Sequence, residues 1–178
     1  MQTGDDRLIA LGDVSWTDYQ ITSEITLNAG DCVDFGEALF VGWTGHTYLT
    51  VFPALSPDQP RTGHPFFGEG AYGSLAYPDM NIALNIAANS PNYNEATLIQ
   101  DTSGLILTPG VKYIMKLAVQ RNPNNTSSQL FVKVWPATAT EPASWNLQAQ
   151  GDASTGAAMI GTFRADVSFG KITLAPFP

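Results

Sequence analysis

The chain is short of cysteine, of charge and of basic residues, and each shortage removes a class of explanation. One cysteine, Cys32, in 178 residues excludes an intrachain disulfide and any thiolate metal cluster. Cys32 reads as a small buried hydrophobe. Charged residues are 13% of the composition, and 8 Lys+Arg against 16 Asp+Glu give a net charge of -8. The cations are scattered from Arg7 to Lys171 and form no basic stripe, so a nucleic-acid partner is not expected. An anionic membrane surface would repel the chain as well. No apolar run approaches the ~20 residues of a membrane helix. The opening "MQTGDDRLIA" has neither the basic start nor the apolar core of a signal peptide, which is consistent with a domain cut from a larger chain.

What is present points to strands. Gly and Pro number 16 and 12, hydrophobic residues make up 44%, and no helical apolar periodicity lasts beyond two turns. The length suits one domain, residues 1–178, able to bury roughly two thirds of its unfolded surface. Alternation is clearest in "DYQITSEITLN", which sets Tyr19, Ile21, Ser23, Ile25 and Leu27 on one face and polar residues on the other. "GEALFVGWTG" and "HTYLTVFPAL" read as strands around a Thr44-Gly45 turn. The Pro-, Gly- and aromatic-rich run from Ser56 to Asp79 reads as a long loop. "MNIALNIAA" reads as a strand, with a short helix as the alternative. Pro109-Gly110 marks a tight turn before the strand "KYIMKLAVQ", and "NPNNTSS" is a hairpin loop leading to "QLFVKVW". There Leu130, Val132 and Val134 share one face, and Phe131, Lys133 and Trp135 the other. The closing "AAMIGTFRADVSFGKITLAPF" reads as two short strands about an Ala165-Asp166 turn. Turn signals every eight to twelve residues favour an all-β fold, a sandwich of two antiparallel sheets.

Catalytic chemistry finds few footholds. A retaining glycosidase needs two carboxyl groups ~5 Å apart, and the nearest approach, Asp34 and Glu37 in "DCVDFGE", points to opposite faces of a straight strand. His46 and His64 lack a neighbouring nucleophile and a third metal ligand, and read as polar loop residues. In "VWPATATEPASWN", Trp135 and Trp145 flank a loop containing Glu141 and Pro142. These rings are either a brace that folds the loop back onto the sheet or a stacking platform for sugars.

Several stretches resemble the concanavalin A-like jelly rolls of the laminin-G and sugar-binding kind. "LGDVSWTDYQITSEITL" resembles that family's Gly-Asp-x-x-Trp-x-Asp-Tyr run and alternating strand. "YIMKLAVQ", "LFVKVWPATATEPASW" and "GTFRADVSFGKITLAPF" resemble, in order, its later hairpin, its Glu-Pro-x-x-Trp loop and its closing strand. The resemblance implies the fold and, for Trp135 and Trp145, the brace, with Glu141 accepting hydrogen bonds from loop amides. It leaves the function open, since such sandwiches host lectins, hydrolases and adhesion domains. Many relatives hold a structural Ca²⁺ through an Asp-Asn pair after the closing Phe. Here Phe169 is followed by Gly170-Lys171, which leaves Asp13, Asp18 and Asp166 as the candidate oxygen ligands. The family's opening strand is reduced to "DDRLIAL", so a sheet edge is left for a partner chain or neighbouring domain.

The residues best suited to bind are Trp43, His46, Tyr72, Tyr77, Asn85 and Tyr93. Sugar rings stack their C–H faces on aromatics, and their hydroxyls pair with amides and carboxylates. The expected function is a non-catalytic module that captures an oligo- or polysaccharide, at the cell, virion or extracellular surface. The alternative is a structural decoration or assembly domain making protein contacts, and a glycoside hydrolase comes third.

Overall fold

The computed structural model of the chain describes residues 7–30, 36–45, 69–76, 81–88, 94–103, 105, 107–124, 126–151, 155–163 and 165–178. Among them are eleven strands and no helix. The strands are β1 (Arg7–Leu11), β2 (Tyr19–Gly30), β3 (Gly36–Gly45), β4 (Glu69–Ala76), β5 (Asn81–Ala88), β6 (Asn94–Gln100), β7 (Tyr113–Arg121), β8 (Ser128–Pro136), β9 (Leu147–Gly151), β10 (Ala157–Phe163) and β11 (Ala165–Pro176). They form a six-stranded sheet, β1-β10-β3-β4-β5-β6, and a five-stranded sheet, β11-β2-β7-β8-β9. Every pairing is antiparallel.

The core lies between the sheets. Ile21, Ile25, Met115, Leu117, Leu130 and Val132 from one meet Leu39, Val41, Ala71, Ala158 and Ile160 from the other. The alternation of β2 is the cause on its side. Tyr19, Ile21, Ser23, Ile25 and Leu27 are all buried, while Thr22, Glu24 and Thr26 between them are half-exposed, as a strand covered on one face requires. At Gly73 a Cβ would stand 2.8 Å from Val132 Cγ2 and 2.9 Å from Met115 Cε, so the sheets approach as closely there as packing allows.

Three expectations are corrected. Gly45 does not turn the chain back: it belongs to β3 and pairs with Glu69. The Ser56–Asp79 region contains β4, whose alternating small and apolar residues pair on both sides, with β3 and β5. The closing stretch is not a hairpin about Ala165-Asp166. β10 lies in the six-stranded sheet and β11 in the five-stranded one, because β11 pairs along the whole of β2, from Ala165 opposite Gly30 to Pro176 opposite Tyr19. "HTYLTVFPAL" lies outside the described residues. Asn81–Ala88 of "MNIALNIAA" form β5, and the Pro109-Gly110 turn closes with Val111 N donating to Thr108 O at 3.2 Å and Gly110 at φ 78, the geometry that Pro followed by Gly favours.

Candidate functional site

Three of the sequence candidates, Trp43, Tyr72 and Asn85, lie on β3, β4 and β5, neighbours in the six-stranded sheet. Strand register sets Ala10, Met159, Phe40, Tyr72, Asn85 and Thr97 side by side in one cross-strand row. Residues directly opposite each other share a face, with Cβ atoms roughly 4.5–5.5 Å apart. Leu39, Val41, Ala158 and Ile160, the chain neighbours of Phe40 and Met159, are in the core between the sheets, so Phe40 and Met159 face away from it. Tyr72 and Asn85, thirteen residues apart in the chain, are thus direct neighbours. In the register of β5 and β6, Thr97 lies opposite Asn85 and Glu95 opposite Ala87; neither was among the candidates, because cross-strand register is not encoded locally.

Trp43 reaches the same face through a β-bulge. Simple alternation from Leu39 and Val41 would send it into the core. Gly42, at φ 65, takes an extra step, and the register of β10 shifts so that Trp43 lies opposite Ala157, on the side of Met159 and Phe40. Trp43 is half-buried. Phe40 and Met159, in the middle of the row, are fully buried, apart from the cluster that fills the space between the sheets.

The bulge is held by the Gly-Asp-x-x-Trp-x-Asp-Tyr motif. The Tyr19 hydroxyl accepts a hydrogen bond from Gly42 N and donates one to Gly156 O, both at 2.9 Å. Burial pushes this phenol well above its ordinary pKa, the Gly42 amide opposing in part, so it stays a neutral donor. A Cβ at Gly156 would meet Gly42 C at 2.1 Å and Trp43 N at 2.4 Å. Only glycine lets β10 lie against the bulge. Gly156 N in turn donates to Trp16 O, and the Trp16 ring packs edge-on to Tyr19, with centroids 5.7 Å apart, over the bare Cα of Gly12. A motif read as a fold marker therefore also sets the direction of Trp43.

The aspartates of that motif are used as backbone acceptors. Asp13 Oδ1 takes the Ser15 amide at 2.8 Å, and hydrogen bonds from the Ser15 side chain and amide hold its carboxyl below the usual carboxylate range. Asp18, at φ 52, takes the Arg121 amide at 2.7 Å. Asp166 lies opposite Ala29, at the far end of β2; eleven extended residues separate positions 18 and 29, roughly 36 Å. One calcium cannot collect Asp13, Asp18 and Asp166, and no group of three or more His, Cys, Asp or Glu suited to a metal occurs among the described residues. Asp166 instead accepts from Asn28 Nδ2 at 3.3 Å.

The loop with two tryptophans is a brace. Trp135 is buried on the outer face of the five-stranded sheet, and the chain folds back so that Lys133 Nζ lies 4.6 Å from the centroid of the Trp145 ring and donates to Pro142 O at 2.8 Å. Glu141 departs from expectation. Its carboxylate binds no loop amide but two ammonium groups, Lys116 and Lys133, the latter at 2.8 Å. Those two lysines, Lys116 foremost, hold it below the usual glutamate pKa. Phe177, stacked on Phe131 with centroids 5.1 Å apart, completes the cover together with Trp145.

Of the six binding candidates, then, Trp43, Tyr72 and Asn85 belong to adjacent strands, with Tyr72 paired to Asn85 in the register of β4 and β5. His46, Tyr77 and Tyr93 lie outside the described residues, as do His64 and Asp34. No known protein family and no curated protein matches the chain. Solved structures do. The metal-free carbohydrate recognition domain of Emp46p is similar over 97% of this chain and 79% of its own, at a TM-score of 0.57 and 10% identity. A legume lectin-like domain from Entamoeba histolytica is similar over 98% and 82%, at 0.54 and 6%. Sheep galectin-11 in complex with glycerol is similar over 97% and 98%, at 0.50 and 14%. The shared feature is the fold, a concanavalin A-like jelly roll.

Proposed function

We propose that the chain is a non-catalytic module that binds a neutral oligo- or polysaccharide on the outer face of the six-stranded sheet, with Trp43, Tyr72 and Asn85 as principal contacts. The observation that carries this reading is the pairing of Tyr72 with Asn85 in the row that also holds Phe40, beside the bulge that turns Trp43 to the same side. Aromatic rings suit the C–H side of a sugar ring, and an amide such as that of Asn85 suits its hydroxyl groups. A net charge of -8 disfavours acidic glycans through long-range repulsion. The similar solved domains include a carbohydrate recognition domain and a legume lectin-like domain, which supports the reading by analogy of fold.

Affinity should be low. A ring that removes about 100 Å² of apolar surface from water gains about 2.5 kcal/mol, and two such rings stand against an association cost of about 4–15 kcal/mol. The rings alone leave almost no net affinity, so single-site binding no tighter than about millimolar is expected, made useful by multivalent display. The site of action is taken to be a cell, virion or extracellular surface, where multivalent glycans occur.

The test is a glycan array probed with multivalently displayed protein, comparing wild type with Trp43→Ala, Tyr72→Ala and Asn85→Ala, each checked for an unchanged circular dichroism spectrum. A signal on neutral glycans that falls at least tenfold in all three variants is expected. Absence of any signal, or a signal indifferent to all three substitutions, would rule the proposal out.

A further inference from the structure

We propose that Asn124, at the tip of the β7–β8 hairpin, is an N-glycosylation acceptor whose side-chain amide takes an oligosaccharide from a polyprenyl diphosphate donor. The glycan concerned is one the chain carries, so the inference does not rest on the proposal that it binds one.

Asparagine is frequent in the chain, yet the acceptor pattern Asn-x-Ser/Thr, with x other than proline, occurs only as the overlapping pair Asn124-Asn125-Thr126 and Asn125-Thr126-Ser127. An oligosaccharide is bulky, and the asparagine that carries it must stand on the surface. Both patterns fall between β7 and β8. The neck of that hairpin is fixed: Arg121 pairs with Ser128, Asn122 N donates to Ser127 O at 2.9 Å, and Asn122 Nδ2 donates to Ser127 Oγ at 2.7 Å. Beyond the neck, Pro123, Asn124 and Thr126 are exposed.

Burial separates the two patterns. An acceptor needs two accessible groups: the amide nitrogen of the asparagine, which forms the new bond, and the hydroxyl two residues on, by which the transferase recognises the site. Asn124 and Thr126 supply both. Asn124 Oδ1 accepts the Thr126 amide at 3.2 Å, an Asx turn that occupies the oxygen and not Nδ2. The second pattern fails at its hydroxyl, because Ser127 is buried and its Oγ accepts from Asn122 Nδ2 and, at 2.9 Å, from Gln150 Nε2 of β9.

In the transfer, the Nδ2 electron pair bonds to the anomeric carbon of the donor sugar and the bond from that carbon to the diphosphate oxygen breaks. The polyprenyl diphosphate leaves with that electron pair, and one Nδ2 proton passes to a base of the transferase. The carboxamide is neutral before and after, so the hairpin gains solvated bulk and no charge.

Full-length protein directed into the secretory pathway of a eukaryotic cell by a cleavable leader tests this, read by intact mass and by peptide mapping after peptide-N-glycosidase in heavy-oxygen water. The account predicts a single N-linked chain whose removal leaves a labelled aspartate at position 124. It should be lost in Asn124→Gln and Thr126→Ala and kept in Asn125→Gln and Thr126→Ser. Both variants that lose it still contain an Asn-x-Ser pattern starting at Asn125, so the loss reads the choice of acceptor and not the mere presence of a motif. Asn124 and Thr126 are exposed, so every variant should keep the thermal midpoint of the deglycosylated wild type. An unmodified wild type would overturn the inference, as would a label at position 125 or a chain that survives Asn124→Gln.

Discussion

At the scale of the residue, the two most constrained side chains are Glu141 and Tyr19, and each joins segments that are distant in the chain. Glu141 receives Lys116 and the buried Lys133. Replacing it by glutamine leaves both ammonium groups without a carboxylate, and because Glu141 is partly exposed the cost should be modest, about 1–2 kcal/mol in a urea titration at pH 7. The pH dependence has a definite sign. The folded carboxyl titrates below the usual 4.5 of a glutamate, so its contribution is complete above that value and is lost as pH falls through the folded pKa. The stability gap between wild type and Glu141→Gln should therefore narrow as pH falls below the usual glutamate value, and a gap that widens on acidification would contradict the assignment. Tyr19→Phe strands the Gly42 amide and the Gly156 carbonyl in a buried site, at an expected cost of about 1–3 kcal/mol by the same titration. An unaltered midpoint would mean that the hydroxyl does not hold the bulge. Tyr19 was legible as a core residue from its place in an alternating strand. Its second role was not, because both partners lie more than twenty residues away.

At the scale of the element, glycines separate two kinds of constraint. Gly110 has φ 78 and open space around its would-be Cβ, whereas Gly156 has φ 148 and backbone atoms of Gly42 and Trp43 within 2.5 Å of that position. Gly110→Ala should cost only the strain of the left-handed conformation, about 1 kcal/mol. Gly156→Ala forces two strands apart, and thermal melts should show a far larger loss, or no folded protein. Similar midpoints for the two variants would contradict the crowding at the bulge. β2, with one covered face, was legible because its alternation follows from burial alone, and β8, buried on both faces, was legible from the hairpin loop that joins it to β7. β4 was hidden by glycine and proline density in its neighbourhood, and β11 was misread because two irregularities, at Asp166/Val167 and Phe169/Ile172, interrupt an otherwise twelve-residue strand. The bulge at Gly42 changes parity by one, so the face of Trp43 could not be read from alternation.

At the scale of the whole molecule, the sandwich gives its two outer faces different work. The five-stranded sheet spends its aromatics, Phe131, Trp135, Trp145 and Phe177, on a self-contained cover pinned by Lys133 and Glu141. The six-stranded sheet carries Trp43, Tyr72 and Asn85 on its adjacent strands β3, β4 and β5. Tryptophans separated by a Pro- and Ala-rich loop thus made a brace, and the residues proposed for binding come from three neighbouring strands. The most direct measurement is an amide chemical-shift titration of the folded protein with the neutral oligosaccharide giving the strongest array signal. The account predicts perturbations concentrated on β3, β4 and β5 around Trp43, Tyr72 and Asn85, with the Trp145 region silent; perturbations centred on Trp145 and Phe177, with that face unmoved, would contradict it.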